Sequence, residues 1–86
     1  MPKVEIFTTA LCPYCYRAKA LLEKKGVQFE EVDVTFSPAK RAEMHERAGL
    51  ATVPQIWING THIGGSDELQ AIDDDGTLDT LLKGAA

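Results

Sequence analysis

Two cysteines three positions apart are the residues of this chain best suited to chemistry. Cys12 and Cys15 can form a structural disulfide, supply half of a zinc site, or exchange disulfides with a substrate. A disulfide that closes so short a loop adds little stability. Zinc needs two further ligands, and His45 and His62 do not have the spacing of a zinc finger. We therefore predict a redox pair and no metal site.

The composition predicts that this pair belongs to a small globular protein. The chain has 86 residues, of which 44% are hydrophobic and 26% are charged, so we expect one folded domain over residues 1–86. The formal net charge is -4, and Lys83 is the one base among residues 48–86. This distribution supplies no basic face for a phosphate backbone or an anionic membrane. Nucleic acids and membranes are therefore excluded as expected partners.

The first residues contain no export signal. They enter a strand-like pattern without the apolar run of a signal peptide, and no stretch reaches the length of a transmembrane helix. We therefore expect a cytoplasmic protein. Because that compartment is reducing, a permanent disulfide between Cys12 and Cys15 is disfavoured there.

The elements that position the cysteines follow from the pattern of apolar residues. Alternating strand formers over residues 4–8 predict a first strand that ends shortly before Cys12. A helical pattern over 13–25 begins at Pro13, which suits the first position of a helix. A second strand over 28–34 completes a strand-helix-strand unit, whose length implies a right-handed parallel crossover. Cys12 is thus predicted at the N-cap of the first helix.

A second helix is predicted over residues 38–48. Ser37 is a good N-cap, Pro38 is a good first residue, and Gly49 is a typical terminator. Its apolar face is thin and consists mostly of Ala42, Met44 and Ala48. This helix therefore has only a few side chains with which to cover a sheet.

A hairpin and short helices are predicted in the last third of the chain. Asn59-Gly60 is a strong hairpin signal, and it joins strands over 55–58 and 61–63. Two short helices follow, and their candidate N-caps are Ser66 or Asp67 for the first and Thr77 for the second. The predicted order β-α-β-α-β-β-α, with a parallel half and a hairpin half, belongs to the α/β class.

The predicted position of Cys12 favours ionisation of its sulfur. Residues at i and i+3 lie on the same side of the first helical turn, close enough for a disulfide to form or open. Unpaired N–H groups and the positive end of the helix dipole stabilise a thiolate at Cys12. Cys15, one turn further along, is expected to be less exposed. We predict that Cys12 is the nucleophile and Cys15 the resolving thiol.

Three segments of the chain resemble the signatures of the glutaredoxin family. They are residues 8–22 around Cys12-Pro13-Tyr14-Cys15, then Thr52-Val53-Pro54-Gln55, then Gly64-Gly65-Ser66-Asp67. Cys-Pro-Tyr-Cys is similar to the motif of dithiol members, whereas thioredoxins usually carry Trp-Cys-Gly-Pro-Cys. The resemblance implies the thioredoxin fold with a four-stranded mixed sheet. It also implies a thiol-disulfide oxidoreductase that uses glutathione as co-substrate and needs no cofactor.

The resemblance further implies a glutathione site beside the cysteines. In relatives the proline that matches Pro54 is cis and faces the cysteines. The residue before it, here Val53 after Thr52, pairs through its backbone with the cysteinyl part of glutathione. Tyr14 is expected to form a wall of this site.

The charged ends of glutathione require donors at one end and a carboxylate at the other. By resemblance, the N–H groups of Ser66 and Asp67 after Gly65 receive the γ-glutamyl carboxylate, and the Asp67 side chain receives the ammonium group. Arg41 matches the position that holds the glycine carboxylate. Simple capping by Ser66 or Asp67, and a solvated charge at Arg41, are the alternatives that the residues alone leave open.

One position departs from the family pattern. Relatives commonly have a lysine three residues before the first cysteine, and this chain has Thr9 there. We predict weaker glutathione binding, or a less stabilised Cys12 thiolate, than in a lysine-bearing relative.

The implied partners are glutathione and proteins that carry disulfides or glutathione mixed disulfides, with ribonucleotide reductase among the candidates. The protein is expected to be a monomer. Two other functions stay open: a thioredoxin-like reductant driven by a reductase, and a dimer that shares an iron-sulfur cluster through Cys12 and glutathione. The second is typical of relatives with Cys-Gly-Phe-Ser. His45 and His62 lie outside the signatures and are expected to take no part.

Overall fold

The computed structural model describes residues 2–83 of the chain. Over these residues, strands and helices follow one another in the order β-α-β-α-β-β-α-α. The elements are β1 (Val4–Thr8), α1 (Pro13–Lys24), β2 (Glu30–Asp33), α2 (Pro38–Ala48), β3 (Gln55–Ile58), β4 (Thr61–Gly64), α3 (Ser66–Asp74) and α4 (Thr77–Lys83). Each predicted element is present, and the C-terminal helical stretch consists of the two short helices α3 and α4.

The four strands form one sheet in the spatial order β2-β1-β3-β4. β1 pairs with β2 in parallel and with β3 antiparallel, and β3 pairs antiparallel with β4. This mixed sheet confirms the fold class that the resemblance implied. β1 lies in the interior of the sheet, so all of its residues except the half-buried Glu5 are buried. The segment that leaves its C-terminal end leads directly to Cys12.

The strand β2 is shorter than predicted, because it lies at an edge and has one neighbour. Its ladder with β1 runs from Glu30, opposite Glu5, to Asp33, opposite Thr8. Residues 28 and 29 precede this ladder and therefore lie outside the strand. Sequence alternation detects residues suited to a strand, whereas the length of the strand depends on its partner.

The hairpin has the predicted turn. Asn59 and Gly60 both have positive φ, 52° and 83°, as a two-residue type I′ turn requires. The turn therefore confirms the antiparallel half of the sheet. It sets Trp57 opposite His62 across the β3–β4 pair, with an irregularity in the register between Ile56 and Trp57.

Apolar side chains pack on both faces of the sheet. The larger cluster contains Val4, Ile6, Ala18, Leu22, Ile56, Ile58, Leu69 and Leu78, and the smaller one contains Phe7, Val34, Met44 and Trp57. Successive residues of a strand point to opposite faces, which is why Ile6 and Phe7 belong to different clusters. Helices α1, α3 and α4 contribute four side chains to the larger cluster, and α2 contributes Met44 to the smaller one.

The prediction for the apolar face of α2 is partly wrong. Met44 is buried and Ala48 packs against the same cluster, but Ala42 is exposed. Two positions along a helix correspond to a rotation of about 200°, so Ala42 and Met44 point in nearly opposite directions. The prediction for Trp57 is confirmed, since its ring packs edge-on against Phe7 with 5.3 Å between the ring centroids. Met44 is thus the one fully buried side chain of α2, and Arg47 adds a contact over the Trp57 ring at 4.3 Å and an ion pair with Glu5.

Within residues 2–83, no helix combines the length and the apolar character needed to cross a membrane. The same part of the chain brings together no group of three or more His, Cys, Asp and Glu side chains that could hold a metal ion.

Candidate active site

Cys12 is the N-cap of α1, as predicted. Its backbone is extended, with φ -137° and ψ 102°, and Pro13 occupies the first helical position. The Cys12 Sγ atom accepts a hydrogen bond from the backbone N–H of Cys15 at 3.0 Å. A sulfur atom therefore takes the place that a Ser or Asp oxygen holds in most helices. This N–H group and the positive end of the helix stabilise negative charge on that sulfur.

Cys15 lies one turn further along α1 and is buried, with 1% of its surface exposed, whereas Cys12 is partly exposed. Burial, followed by the hydrogen bond with the Cys12 side chain, raises the pKa of Cys15 to about 12. At neutral pH Cys15 is therefore a thiol. Of the two sulfur atoms, Cys12 is the one that a substrate can reach.

The segment before β3 faces Cys12 across the site. The Val53–Pro54 peptide bond is cis, as the resemblance implied. The carbonyl oxygen of Val53 lies 3.9 Å from Cys12 Sγ, although 41 positions separate the two residues. A disulfide that reaches Cys12 therefore meets the backbone of Val53.

A buried glutamine supports this segment from behind. Gln55 is 1% exposed, and its Nε2 atom donates to both the carbonyl and the hydroxyl oxygen of Thr52 at 3.1 Å. Its Oε1 atom lies 2.7 Å from Nε2 of His62. The sequence prediction left both Gln55 and His62 without a role in the site. The hairpin register, which sets His62 opposite Trp57, is the signal that links them, because Gln55 and Trp57 lie on the same face of β3.

A groove of about 320 Å³ runs from the first turn of α1 past the cis-proline segment to the start of α3. Its lining includes seven predicted site residues: Tyr14, Thr52, Val53, Pro54, Gly65, Ser66 and Asp67. It also includes Leu50, Gln55 and Glu68, which the sequence prediction did not name. The three signature segments, distant in the chain, thus line one groove beside Cys12.

The start of α3 differs from the predicted one. Gly65, not Ser66 or Asp67, is the N-cap, and no side chain caps the helix from that position. Ser66 and Asp67 are instead the first two helical residues. Glu68 compensates for the missing cap, because its Oε1 atom accepts from the N–H of Gly65 at 2.7 Å. The first turn of this helix, which includes the groove-lining Ser66 and Asp67, therefore has no side-chain cap from the N-cap position.

The start of α4 differs in the same way. Thr77 is the first residue of the helix and not its cap, and its N–H donates to the Asp75 carboxylate at 2.8 Å. Hydrogen bonding to Thr77, through its side chain first and its backbone N–H second, favours the charged carboxylate and lowers the pKa of Asp75. Asp75 is the last acid of the run Asp73-Asp74-Asp75, and it accepts the N–H of the residue that begins the last helix.

Glycine is required at Gly64, which precedes the cap of α3. Its φ is +119°, a backbone conformation that residues with a side chain rarely adopt. A Cβ atom there would lie 2.8 Å from Glu68 Oε1 and 2.9 Å from its Cγ atom. The signature glycine thus allows Glu68 to fold back over the helix start.

Arg41 lies beside the groove and not among its lining residues. It extends from α2, and its Nη1 atom donates to the carbonyl oxygen of Ala51 at 3.3 Å. This contact brings a positive charge next to the segment that begins at Thr52. Tyr14, at the other side, is 54% exposed, and the guanidinium carbon of Arg17 lies 5.6 Å from the centre of its ring.

Comparison with known sequences identifies relatives of the whole arrangement. The Glutaredoxin family profile matches residues 4–63. Glutaredoxin 3 of Escherichia coli strain K12 is 57% identical over 83 residues, which cover 96% of this chain and all of that protein.

Solved structures of glutaredoxins are similar to this chain. The solution structure of a glutaredoxin from Brucella melitensis has a TM-score of 0.83 and 54% identity, covering 94% of this chain and 88% of that one. The crystal structure of a buckwheat glutaredoxin–glutathione complex has a TM-score of 0.86 and 31% identity, covering 95% and 79%. Fold and relatives together define a thiol-disulfide oxidoreductase. The chain belongs to the glutaredoxin family.

Proposed function

We propose that this protein uses glutathione to remove glutathione from protein mixed disulfides and to reduce protein disulfides. The observation that carries the proposal is the position of Cys12 Sγ, which accepts the Cys15 N–H and faces the Val53 carbonyl beside the groove. The solved complex of the buckwheat relative with glutathione supports the choice of co-substrate.

The first step is an attack by the Cys12 thiolate on the glutathione sulfur of a mixed disulfide. A bond forms between the Cys12 sulfur and the glutathione sulfur, and the original disulfide breaks. The protein substrate leaves as a thiolate and takes a proton from water. A second glutathione thiolate then attacks the glutathione sulfur on Cys12, which releases oxidised glutathione and regenerates the Cys12 thiolate.

Protein disulfides follow a second route that needs Cys15. Cys12 attacks one sulfur of the substrate disulfide, which breaks that bond, frees the other substrate sulfur as a thiolate and leaves a mixed disulfide. Cys15 then loses its proton and attacks the Cys12 sulfur, which forms the Cys12–Cys15 disulfide and releases the second substrate thiolate. The Cys12 side chain is one cause of the raised pKa of Cys15, so its conversion to a disulfide removes that contribution. The resolving thiol thus ionises more readily at the moment when it is needed. Two glutathione molecules then reduce the Cys12–Cys15 disulfide and leave as oxidised glutathione.

The groove offers each charged group of glutathione a partner. The N–H groups of Ser66 and Asp67 at the start of α3 suit the γ-glutamyl carboxylate, because a helix N-terminus favours an anion. The Asp67 carboxylate suits the ammonium group, and Arg41 suits the glycine carboxylate. The Val53 backbone then holds the cysteinyl part next to Cys12.

We place this activity in the cytoplasm, where the glutathione pool is reducing. The protein acts as a monomer on disulfide-containing and glutathionylated proteins, and ribonucleotide reductase is one candidate. We propose that residues 1–86 act as one functional unit.

The test compares wild type, Cys12→Ser and Cys15→Ser in a glutathione-coupled assay. The two substrates are a glutathionylated peptide and a protein with one disulfide. We expect Cys12→Ser to lose activity on both substrates and Cys15→Ser to keep activity on the peptide. Turnover with thioredoxin reductase but not with glutathione would contradict the proposal. So would an as-purified brown protein whose activity does not depend on Cys12.

A further inference from the structure

A hydrogen-bonded chain of side chains joins the strand β4 to the segment that faces Cys12. The His62 Nε2 atom lies 2.7 Å from Gln55 Oε1, and Gln55 Nε2 lies 3.1 Å from both oxygen atoms of Thr52. His62, on the edge strand β4, is exposed, whereas Gln55 is 1% exposed and its amide is enclosed by the protein. The position of its amide group is therefore set by Thr52 on one side and His62 on the other.

The hydrogen bonds among His62, Gln55 and Thr52 have only one consistent arrangement of donors and acceptors. The carbonyl oxygen of Thr52 can only accept, so the Gln55 amide must turn its NH₂ group towards Thr52. Its oxygen then faces His62, and the Nε2 atom of His62 must carry a hydrogen and donate it. The imidazole ring also stacks on Trp57, with 4.9 Å between centroids and an angle of 35° between planes. Trp57 is itself buried, so it holds the ring in place.

We propose that His62 is a positioning residue for substrate binding, acting through the Gln55 amide on the Thr52-Val53-Pro54 segment. Thr52 immediately precedes Val53, whose carbonyl oxygen lies 3.9 Å from Cys12 Sγ. A shift of the Gln55 amide therefore moves the backbone that meets the incoming disulfide. The inference rests on the proposed function, because the segment is positioned for a glutathione disulfide.

The expected effect falls on KM. Without the His62 donor, the buried Gln55 oxygen loses its partner, and a hydrogen bond of this kind is worth about 1 kcal/mol, or about five-fold in affinity. The N–H group that donates to the Cys12 sulfur is that of Cys15 in α1, outside the Thr52-Val53-Pro54 segment. Loss of binding that is equal in ground and transition states raises KM and leaves kcat unchanged.

The experiment uses two variants of His62 and one matched control. His62→Phe keeps a ring on Trp57 but removes the donor, whereas His62→Gln restores an N–H donor. The control is His45→Phe, because His45 lies on the exposed surface of α2. We expect KM for a glutathionylated peptide to rise about five-fold in His62→Phe with kcat within two-fold of wild type. His62→Gln recovers at least half of the loss on a logarithmic scale, and His45→Phe has the KM of wild type.

A second measurement requires no variant and no turnover. Long-range ¹H–¹⁵N correlation spectra distinguish the two neutral tautomers of histidine, and we expect a hydrogen on Nε2 of His62 in the wild type. A hydrogen on Nδ1 alone overturns the positioning role, as does an unchanged KM in His62→Phe or an equal fall in kcat. If the wild type does not turn over the glutathionylated peptide, both the proposed function and the positioning role are contradicted. A normal turnover with the Nδ1 tautomer removes the positioning role alone.

Discussion

The helices α1 and α3 both begin at the groove, and their first turns are completed in different ways. In α1 the N-cap is Cys12, whose sulfur accepts a backbone N–H of the helix. In α3 the N-cap is Gly65, which has no side chain, and Glu68 accepts the N–H of Gly65 itself. The same helix physics therefore stabilises a reactive atom of the protein at α1. At α3 it leaves N–H groups available to an external anion.

The absence of a side chain at Gly65 also determines how close α3 comes to the cis-proline segment. A Cβ atom on Gly65 would lie 3.4 Å from the carbonyl oxygen of Pro54 and 3.2 Å from Glu68 Oε1. The start of α3 thus lies against the segment that faces Cys12, and a side chain on Gly65 would require Glu68 to shift slightly. At the start of α1 the cap residue must have a side chain, because the Cys12 sulfur is the atom proposed to react.

The largest expected difference is between the two sulfur atoms of α1. With its pKa raised to about 12, Cys15 is a thiol at pH 7, whereas Cys12 is the partly exposed sulfur at the helix cap. Brief treatment of reduced protein with iodoacetamide at pH 7, followed by mass spectrometry, is expected to modify Cys12 and not Cys15. The same treatment in denaturant is the control and modifies both. Equal modification of Cys12 and Cys15 in the folded protein would contradict the proposed difference in ionisation between the two thiols.

The next largest effect concerns the glycine that lets Glu68 reach back over α3. We expect Gly64→Ala to lower the free energy of unfolding by about 1–3 kcal/mol, because it combines a disfavoured φ with a contact against Glu68. Gly26→Ala is the matched control, since its φ is +73° and a Cβ atom there meets no other atom within 4 Å. Its cost is about 1 kcal/mol. Urea unfolding of both variants measures the difference, and equal losses would show that Glu68 adjusts freely.

A smaller effect tests the binding role of the α3 start. Asp67→Asn removes the charge proposed to pair with the ammonium group of glutathione. We expect KM for a glutathionylated peptide to rise about ten-fold, since a hydrogen bond to a charged group is worth about 1.5 kcal/mol or more. Asp74→Asn, at the other end of the same helix, is the control for net charge. Equal changes in the two variants would mean that Asp67 acts only through long-range charge.

The smallest expected effect concerns a positive charge placed near Cys12 at the start of α1. Thr9→Lys introduces the lysine of many relatives near Cys12, and a surface charge of this kind contributes about 0.3–1 kcal/mol. We expect the rate of Cys12 alkylation at pH 6, or the affinity for glutathione, to rise about two- to five-fold. Thr61→Lys on β4 adds the same charge elsewhere and serves as the control. An unchanged rate and affinity in Thr9→Lys would show that the helix start alone determines the behaviour of the sulfur.

Local signals were sufficient for much of this structure. Pro13 and the cysteine before it predicted the start of α1, and Asn59-Gly60 predicted the turn of the hairpin. The start of α3 was predicted wrongly, because Ser66 and Asp67 are both good caps by residue type. Gly65 takes the position instead; glycine is also a favoured cap residue, and a Cβ atom there would crowd Glu68 Oε1 at 3.2 Å.

The sequence by itself determined the order of the elements and the position of Cys12 at a helix cap, because a helix cap, a tight turn and an alternating strand depend on residues within a few positions of one another. Only the tertiary structure decided that Val53 faces Cys12, that His62 reaches Gln55, and that β1 lies between β2 and β3. These contacts join residues whose separation in the chain carries no periodic signal. They depend on which strand edges pair and which faces are buried, and packing of the whole domain settles that choice.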